Sequence, residues 1–449
     1  MNASTRMRWA LVLLVATLAG CEGPCSKIEP LGGPRLDANG VNLSSYVAVG
    51  TSLSSGFESG GLVDRHQVHS FPSLFARQIG KTVQLDGGGS FTQPTVNNDG
   101  IQPLLEIKSY SPLIINRAGR TPGVPTNSVQ NFAYHNLGIP GSVLFDLVDT
   151  TFYGRSGFFN LITRTRGSVL VQALSNAPTI MSLEYGANEV LGPTVNQGTA
   201  PGSGTAGFYA QLLTASLNAI HGALPGTRVA VLNVPDVTAI PFFTTLPPFT
   251  LSLASRQPLP LVATDGPLQL GDLVLLSAAD SIVIGTGIPA GGFNYLNPPA
   301  GSNGRLLPEF LVLRAAEVAD TRTQIADMNA AVDSVALRPF VARVDLAGLL
   351  GSIARDGVRL GGRLYTSDFV TGGLFSLDGV HPNDLGYALL ANQMIDDVNA
   401  RFGCRIPEVS PLAFASPSAS RASPARDERV LPRVEGLREI LEPIFSRPR

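Results

Sequence analysis

The fold of this chain is decided by residues 46–54, which read YVAVGTSLS. The first four residues are apolar and the run ends at Gly50, which is the pattern of a short buried strand. A turn that contains Ser52 follows directly. In an open α/β sheet, ligands bind outside the carboxyl ends of the strands, so this serine is placed where a catalytic group would be useful. A serine in such a turn is also a common turn former or helix cap.

Strand patterns alternate with helix patterns along the rest of the chain. The predicted strands are residues 82–85, 131–136, 178–183, 228–234 and 340–346, and the predicted helices are residues 71–79, 208–224, 309–335 and 383–402. This alternation predicts an α/β fold with a parallel sheet that helices cover on both faces. Two segments interrupt it as insertions, residues 86–126 and 237–305. The second either packs on the core as a loop or forms a cap over the substrate.

Composition limits the class of protein. The 449 residues are 44% apolar, so the chain can bury a full core and does not have the composition of a disordered protein. Its 32 basic and 34 acidic residues give a net charge of -2. Because a nucleic-acid-binding domain carries a basic patch or stripe, no nucleic-acid partner is expected.

The N-terminal residues have the pattern of an export signal. Two arginines precede an apolar run over residues 9–19, which is shorter than the about 20 residues of a membrane span but has the length of a signal-peptide core. The run ends in Leu18-Ala19-Gly20-Cys21, which resembles the lipobox of bacterial lipoproteins. An ordinary signal peptide that happens to precede a cysteine is the alternative.

The lipobox resemblance implies how the mature chain is attached. Residues 1–20 would be the signal peptide, Cys21 the lipidated N-terminus, and residues 21–43 a linker to the membrane. Because Glu22 follows the cysteine, where Asp commonly signals inner-membrane retention, the resemblance implies the outer membrane or the outer surface of the cell envelope. The oligomeric state is left open.

Two further cysteines remain, Cys25 and Cys404. An even pair in an oxidising compartment is compatible with a disulfide that brackets the main domain, and two free thiols are the equal alternative. The tail, residues 405–449, is rich in Ser, Pro, Ala and Arg. Within it, residues 409–426 have a disordered composition, whereas residues 430–445 have apolar positions at helical spacing and predict a short amphipathic helix.

Four short blocks each carry residues suited to acyl transfer. They are Gly50-Thr51-Ser52, Asn136 to Gly141, Gly186-Ala187-Asn188-Glu189 and Asp378-Gly379-Val380-His381-Pro382. A serine hydroxyl needs a base such as histidine to become a nucleophile, and an aspartate can orient that histidine. A backbone N–H at glycine and an asparagine amide can donate to a developing oxyanion. Taken alone, Asp378 is equally a helix cap.

The order of these blocks resembles the SGNH hydrolases, also called the GDSL lipase/esterase family, over residues 44–404. The segments YVAVGTSLSSGF, VPDVTAIPFFTTLP and DGVHPNDLGYALLANQMI resemble a bacterial lipoprotein-type branch. The resemblance implies a three-layer α/β/α sandwich with a parallel sheet of about five strands. It further implies a Ser52, His381 and Asp378 triad, with Ser52, Gly141 and Asn188 as oxyanion donors.

Two positions depart from the family pattern. Thr51 replaces an aspartate that the family uses to brace the turn, and Glu189 replaces the aspartate after the asparagine. Neither is a triad or oxyanion position, so the departures bear on the rigidity of the site and on rate rather than on the chemistry.

The resemblance implies a surface-anchored serine esterase or lipase, which hydrolyses carboxylic esters of a lipid or an acylated carbohydrate without cofactor or metal. One alternative is a polysaccharide O-acetyl esterase. Another, of a different class, is a surface-binding lipoprotein with weak catalysis. His66 and His69 lack a third metal ligand at a recognisable spacing and are assigned as loop residues near the site. His135 and His221 are predicted to be partly buried structural residues.

Overall fold

A central parallel sheet of five strands organises the molecule. The computed structural model describes residues 35–415 and 431–445, apart from residues 111, 118, 152, 154–156, 299 and 432. The sheet strands are β1 (Tyr46–Gly50), β2 (Asn136–Gly138), β3 (Ile180–Glu184), β4 (Arg228–Leu232) and β5 (Val341–Val344). Their order across the sheet is β5-β4-β3-β1-β2, and every neighbouring pair is parallel.

Helices connect and cover the strands. They are α1 (Ser52–Ser55), α2 (Asp64–Gln67), α3 (Phe71–Gln78), α4 (Gly157–Thr163), α5 (Val169–Ser175), α6 (Ala187–Gln197), α7 (Thr205–Ala223), α8 (Pro241–Thr244), α9 (Ala279–Val283), α10 (Ala315–Ala336), α11 (Leu346–Asp356), α12 (Asp384–Phe402) and α13 (Leu437–Phe445). Short 3-10 turns lie at Leu144–Leu147, Val237–Ala239, Leu276–Ala278, Glu309–Leu311 and Pro411–Phe414. Among the described residues, none of these helices is both long and apolar enough to cross a membrane.

Strand β1 shows why helices cover both faces of the sheet. Its side chains alternate between the faces, and because Tyr46, Val47, Ala48 and Val49 are all buried, each face needs an apolar cover. Val47 and Val49 belong to the core that includes side chains of α5, α7 and α10. Tyr46 and Ala48 belong to the core that includes side chains of α3 and α12. The predicted three-layer α/β/α sandwich is therefore confirmed.

The insertions fold into small antiparallel ribbons. In the first insertion, Glu106–Tyr110 pairs with Leu113–Asn116, and Arg433–Val434 of the tail joins this pair in parallel. The remaining short pairs are Phe249–Leu251 with Pro258–Pro260, Val262–Ala263 with Gly266–Pro267, Leu273–Val274 with Val312–Leu313, and Val358–Leu360 with Arg363–Tyr365. The tail is thus attached to the first insertion just before α13.

Three of the predicted elements differ from the structure. Residues 82–85 form no strand, because Thr82 bonds locally to Ser90 and Phe91 instead of to a neighbouring strand. The strand predicted at 131–136 begins only at Asn136, where pairing with β1 starts. The helix predicted from residue 309 begins at Ala315, since Val312–Leu313 is first used as a strand.

Candidate active site

Ser52 lies immediately beyond the carboxyl end of β1, as the first residue of α1. The turn that carries it is closely packed. A Cβ atom at Gly50 would lie 2.2 Å from Oγ of Ser54 and 2.7 Å from the carbonyl oxygen of Glu184, so only glycine fits at that position. Ser52 itself is only 3% exposed.

The loop before α12 brings His381 and Asp378 to this serine. Nε2 of His381 lies 2.9 Å from Oγ of Ser52, and Nδ1 lies 2.9 Å from Oδ2 of Asp378. All three residues are buried. The helix that follows is capped by Asn383, whose side chain accepts from the Gly386 N–H. Asp378 is therefore not needed as the cap of α12, and its carboxylate is turned to the imidazole.

The surroundings of Asp378 determine which imidazole nitrogen of His381 carries the proton. Burial alone would raise the pKa of its carboxyl, but the charge and hydrogen bonds of His381 and the N–H of Val380 outweigh burial and lower the pKa to about 2. Oδ2 also accepts from the Gly60 N–H, and Oδ1 accepts from the hydroxyl of Ser376. An ionised carboxylate can only accept, so Nδ1 of His381 carries the proton. Nε2 is then free to accept the proton of Ser52.

A residue that the sequence analysis did not identify braces the nucleophile turn. The Glu184 carboxylate, at the end of β3, accepts from the Thr51 N–H and hydroxyl at 2.9 Å and from the Ser54 hydroxyl at 3.0 Å. Complete burial raises its pKa to about 7, although these hydrogen bonds partly offset the effect. In the sheet register Glu184 pairs with Gly50. The signal in the sequence was a charged residue placed directly after the predicted strand 178–183.

The candidate oxyanion donors lie at the ends of the neighbouring strands. Nδ2 of Asn188, near the start of α6, donates to the Ser142 carbonyl at 2.7 Å and has a second N–H remaining. Oε1 of Glu189 accepts from the Leu144 N–H at 2.8 Å. These two bonds tie the loop that carries Gly141 to α6. Glu189, the second position that departs from the family pattern, therefore supports the loop that carries Gly141.

Two cavities meet at Asn188. One is a narrow apolar cleft of about 50 Å³ that contains Ser52 and His381. The other is larger, about 590 Å³, and contains Gly141 and polar side chains. The apolar lining of this cleft comes from α1, α6, α11, α12 and the loop around Leu374, and the 237–305 insertion contributes Val237 and Ile240. The polar cavity is lined by Glu189, Asn196, Gln197 and Glu442 among others.

The C-terminal helix α13 lies over this region. The Phe445 ring is nearly parallel to the His381 imidazole, with ring centroids 6.4 Å apart. A Cβ atom at Gly141 would clash with the Ile444 carbonyl oxygen, so the loop that carries Gly141 touches the backbone of α13. The amphipathic helix predicted over residues 430–445 is therefore present over Leu437–Phe445, where it packs against α6 and the Gly141 loop of its own chain.

The other predicted residues fall outside this group. His135 is half-buried and bonds to Thr92. The expectation that His221 is partly buried is wrong, because it is exposed and only stacks on Phe340. Cys404 is buried and unpaired among the described residues. Cys21 and Cys25 lie outside the described residues, so lipidation and the disulfide stay predictions.

Comparison with known proteins finds a distant likeness among solved structures. No protein-family model matches the chain, and no curated protein matches it. Among solved structures, it is similar to the crystal structure of a "putative GDSL-like lipase" from Parabacteroides merdae ATCC 43184. The two chains are 14% identical with a TM-score of 0.33, and the match covers 80% of this chain and 98% of the other.

Proposed function

We propose that this protein is a serine esterase that hydrolyses carboxylic esters through an acyl-enzyme. The observation that carries the proposal is the buried contact chain from Ser52 through His381 to Asp378, with both contacts at 2.9 Å. Hydroxyl, imidazole and carboxylate in this order form the arrangement that activates a serine for attack on an acyl group.

The reaction follows from the positions of the protons. Oγ of Ser52 attacks the ester carbonyl carbon while Nε2 of His381 takes the hydroxyl proton, and Asp378 stabilises the imidazolium. The N–H groups of Ser52, Gly141 and Asn188 donate to the oxyanion. Collapse of the tetrahedral intermediate breaks the ester C–O bond, and His381 returns its proton to the alcohol. Water then attacks the acyl-enzyme, with His381 as base, and releases the carboxylic acid.

The cavities suggest the kind of ester. The apolar cleft beside Ser52 is narrow and suits a short acyl chain, whereas the larger cavity beyond Asn188 combines apolar residues with several polar side chains that suit a polar alcohol. This contrast favours a second candidate function, removal of acetyl groups from a carbohydrate. We propose in addition that Cys21 is lipidated and holds the enzyme in the cell envelope, at the outer membrane or the outer surface.

The test combines covalent labelling with a substrate series. Purified protein is treated with a fluorophosphonate probe and assayed on p-nitrophenyl esters of increasing acyl length. Wild type and the surface control Ser255→Ala should label and turn over. Ser52→Ala should do neither, and His381→Ala should retain only the residual catalysis of about 10³–10⁴ over water that binding and the oxyanion hole supply.

The outcomes separate the candidates. Preference for acetyl esters supports the carbohydrate esterase, and preference for long chains supports a lipase. Absence of labelling in folded wild type would favour a binding lipoprotein instead. If Ser52→Ala keeps wild-type turnover, the proposed site is wrong.

A further inference from the structure

A second cluster of chemically active side chains lies behind the triad. Glu58 and His66 belong to the segment that follows the nucleophile turn. Asp384 belongs to the first turn of α12, only three residues after His381. The structure therefore supplies two partners for His66 that no local spacing revealed.

The donor atoms of these three residues converge. Nδ1 of His66 lies 3.0 Å from Oδ1 of Asp384 and 3.3 Å from Oε2 of Glu58. All three donor atoms lie within 4.8 Å of one another. Around a zinc ion with bonds of about 2.1 Å, neighbouring ligand atoms are separated by about 3.0–3.5 Å. The two distances from His66 fall in this range.

Hydrogen bonding within the protein does not account for the whole cluster. The Glu58 side chain is only 10% exposed, and among the described residues its buried Oε2 atom makes no hydrogen bond. Its contact with Nδ1 of His66 at 3.3 Å is longer than the 3.0 Å contact that the same nitrogen makes with Asp384. A buried carboxylate oxygen without a hydrogen bond is costly, and such groups are normally paired or coordinate a metal. Oε2 faces the His66 nitrogen that also faces Asp384. A cation between the three groups would satisfy it.

We propose that Glu58, His66 and Asp384 bind one divalent transition-metal ion, for which zinc is the best match. One imidazole nitrogen and two carboxylate oxygens are ligands that zinc accepts, and three protein ligands leave a fourth position for water. Nδ1 of His69 lies 2.9 Å from Oδ2 of Asp384, the oxygen that does not face His66. His69 is therefore placed to orient the Asp384 carboxylate, as outer partners do at metal sites.

The ion would act as a clamp behind the triad. Glu58 is followed by Ser59, whose N–H donates to the Ser376 hydroxyl, and by Gly60, whose N–H donates to Oδ2 of Asp378. Asp384 begins the helix that follows His381. A metal ion that joins Glu58 to Asp384 fixes both supports of the acid–base pair without touching the substrate. Its role is positional.

The experiment measures metal binding directly. The full chain is stripped with a chelator, dialysed against zinc chloride and analysed by inductively coupled plasma mass spectrometry. One zinc ion per chain is expected. Glu58→Gln and His66→Gln should each weaken binding by at least about 100-fold, and His69→Gln by about 10–100-fold, as for outer partners. The matched control His221→Gln changes an exposed histidine on α7 and should bind as wild type does.

Two further measurements keep the result clear. Cobalt chloride added to wild type should produce the visible absorption bands of a low-coordinate site. This measurement uses wild type alone and does not depend on whether a variant folds. Ser52→Ala should bind zinc normally, so failure of the esterase proposal and failure of the metal proposal are distinguishable. Folded wild type that takes up neither metal would overturn the inference, and so would zinc bound equally tightly by folded His66→Gln.

Discussion

Replacing Glu184 with glutamine tests the brace of the nucleophile turn. The carboxyl is fully buried, and its pKa is raised from 4.5 to about 7, chiefly by burial. The folded protein therefore holds this proton more tightly than the unfolded chain does. A glutamine of the same shape does not titrate, so a comparison of the two proteins isolates the contribution of one carboxyl group.

The sign and size of the effect follow from linkage. Because the folded pKa is the higher one, the stabilising contribution of the protonated group is complete below pH 4.5 and is lost as the pH rises through about 7. The folded and unfolded pKa values of Glu184 differ by about 2.5, and at about 1.36 kcal/mol for each pKa unit this corresponds to about 3 kcal/mol. The free energy of unfolding of wild type, relative to Glu184→Gln, should fall by that amount between about pH 4 and pH 8.

The assay is urea unfolding followed by far-UV circular dichroism at several pH values. Glu439→Gln, which changes an exposed glutamate of α13, serves as the control and should show a far smaller pH-dependent difference from wild type. A difference between wild type and Glu184→Gln that does not vary with pH would refute the reasoning. So would one that grows in favour of wild type at high pH. A glutamine whose oxygen takes the Oε2 position still accepts from the N–H groups of Thr51 and Ser54, and its NH2 group faces only the Thr51 hydroxyl, which can accept, so kcat at pH 8 should change little.

Three further changes address the oxyanion donors, the C-terminal helix and the anchor. Asn188→Ala removes one oxyanion donor and should lower kcat by roughly 10²–10³ in the p-nitrophenyl acetate assay, with KM nearly unchanged; an equal rise in KM would contradict its role. Phe445→Ala enlarges the polar cavity, so kcat/KM should rise for esters of bulky alcohols and stay level for small ones. Cys21→Ala should release the protein from the membrane fraction, and its retention there after normal processing would exclude the lipid anchor.

The central sheet could be predicted because each strand carries its own signal. Runs such as residues 46–50 and 229–232 are apolar throughout, since helices bury both faces, and such runs are recognisable without tertiary information. Residues 82–85 have the same local preference but lack a neighbouring strand. Pairing is a property of the fold, so local preference alone gave the wrong assignment there.

The contact of His66 with Asp384 and the position of α13 could not be predicted, because both depend on residues far apart in the sequence. His66 and Asp384 are 318 positions apart, and nothing in the spacing near either residue indicates the other. The position of α13 could not be predicted for the same reason. Its apolar face predicts that it packs on something, but the surface that receives it is formed by α6 and the Gly141 loop. Amphipathic spacing identifies a face without identifying its partner.

The brace of the nucleophile turn shows how a departure from a motif can be compensated in three dimensions. The turn after β1 needs an acceptor for its N–H groups and hydroxyls, and the aspartate expected at position 51 is a threonine. Strand β3 lies beside β1, and its last residue, Glu184, pairs in register with Gly50. The Glu184 carboxylate accepts from the N–H and the hydroxyl of Thr51 across the two strands. The turn needs a carboxylate within reach of the Thr51 N–H. Position 51 taken alone therefore suggests that the carboxylate has been lost, whereas the sheet register shows that Glu184 supplies it.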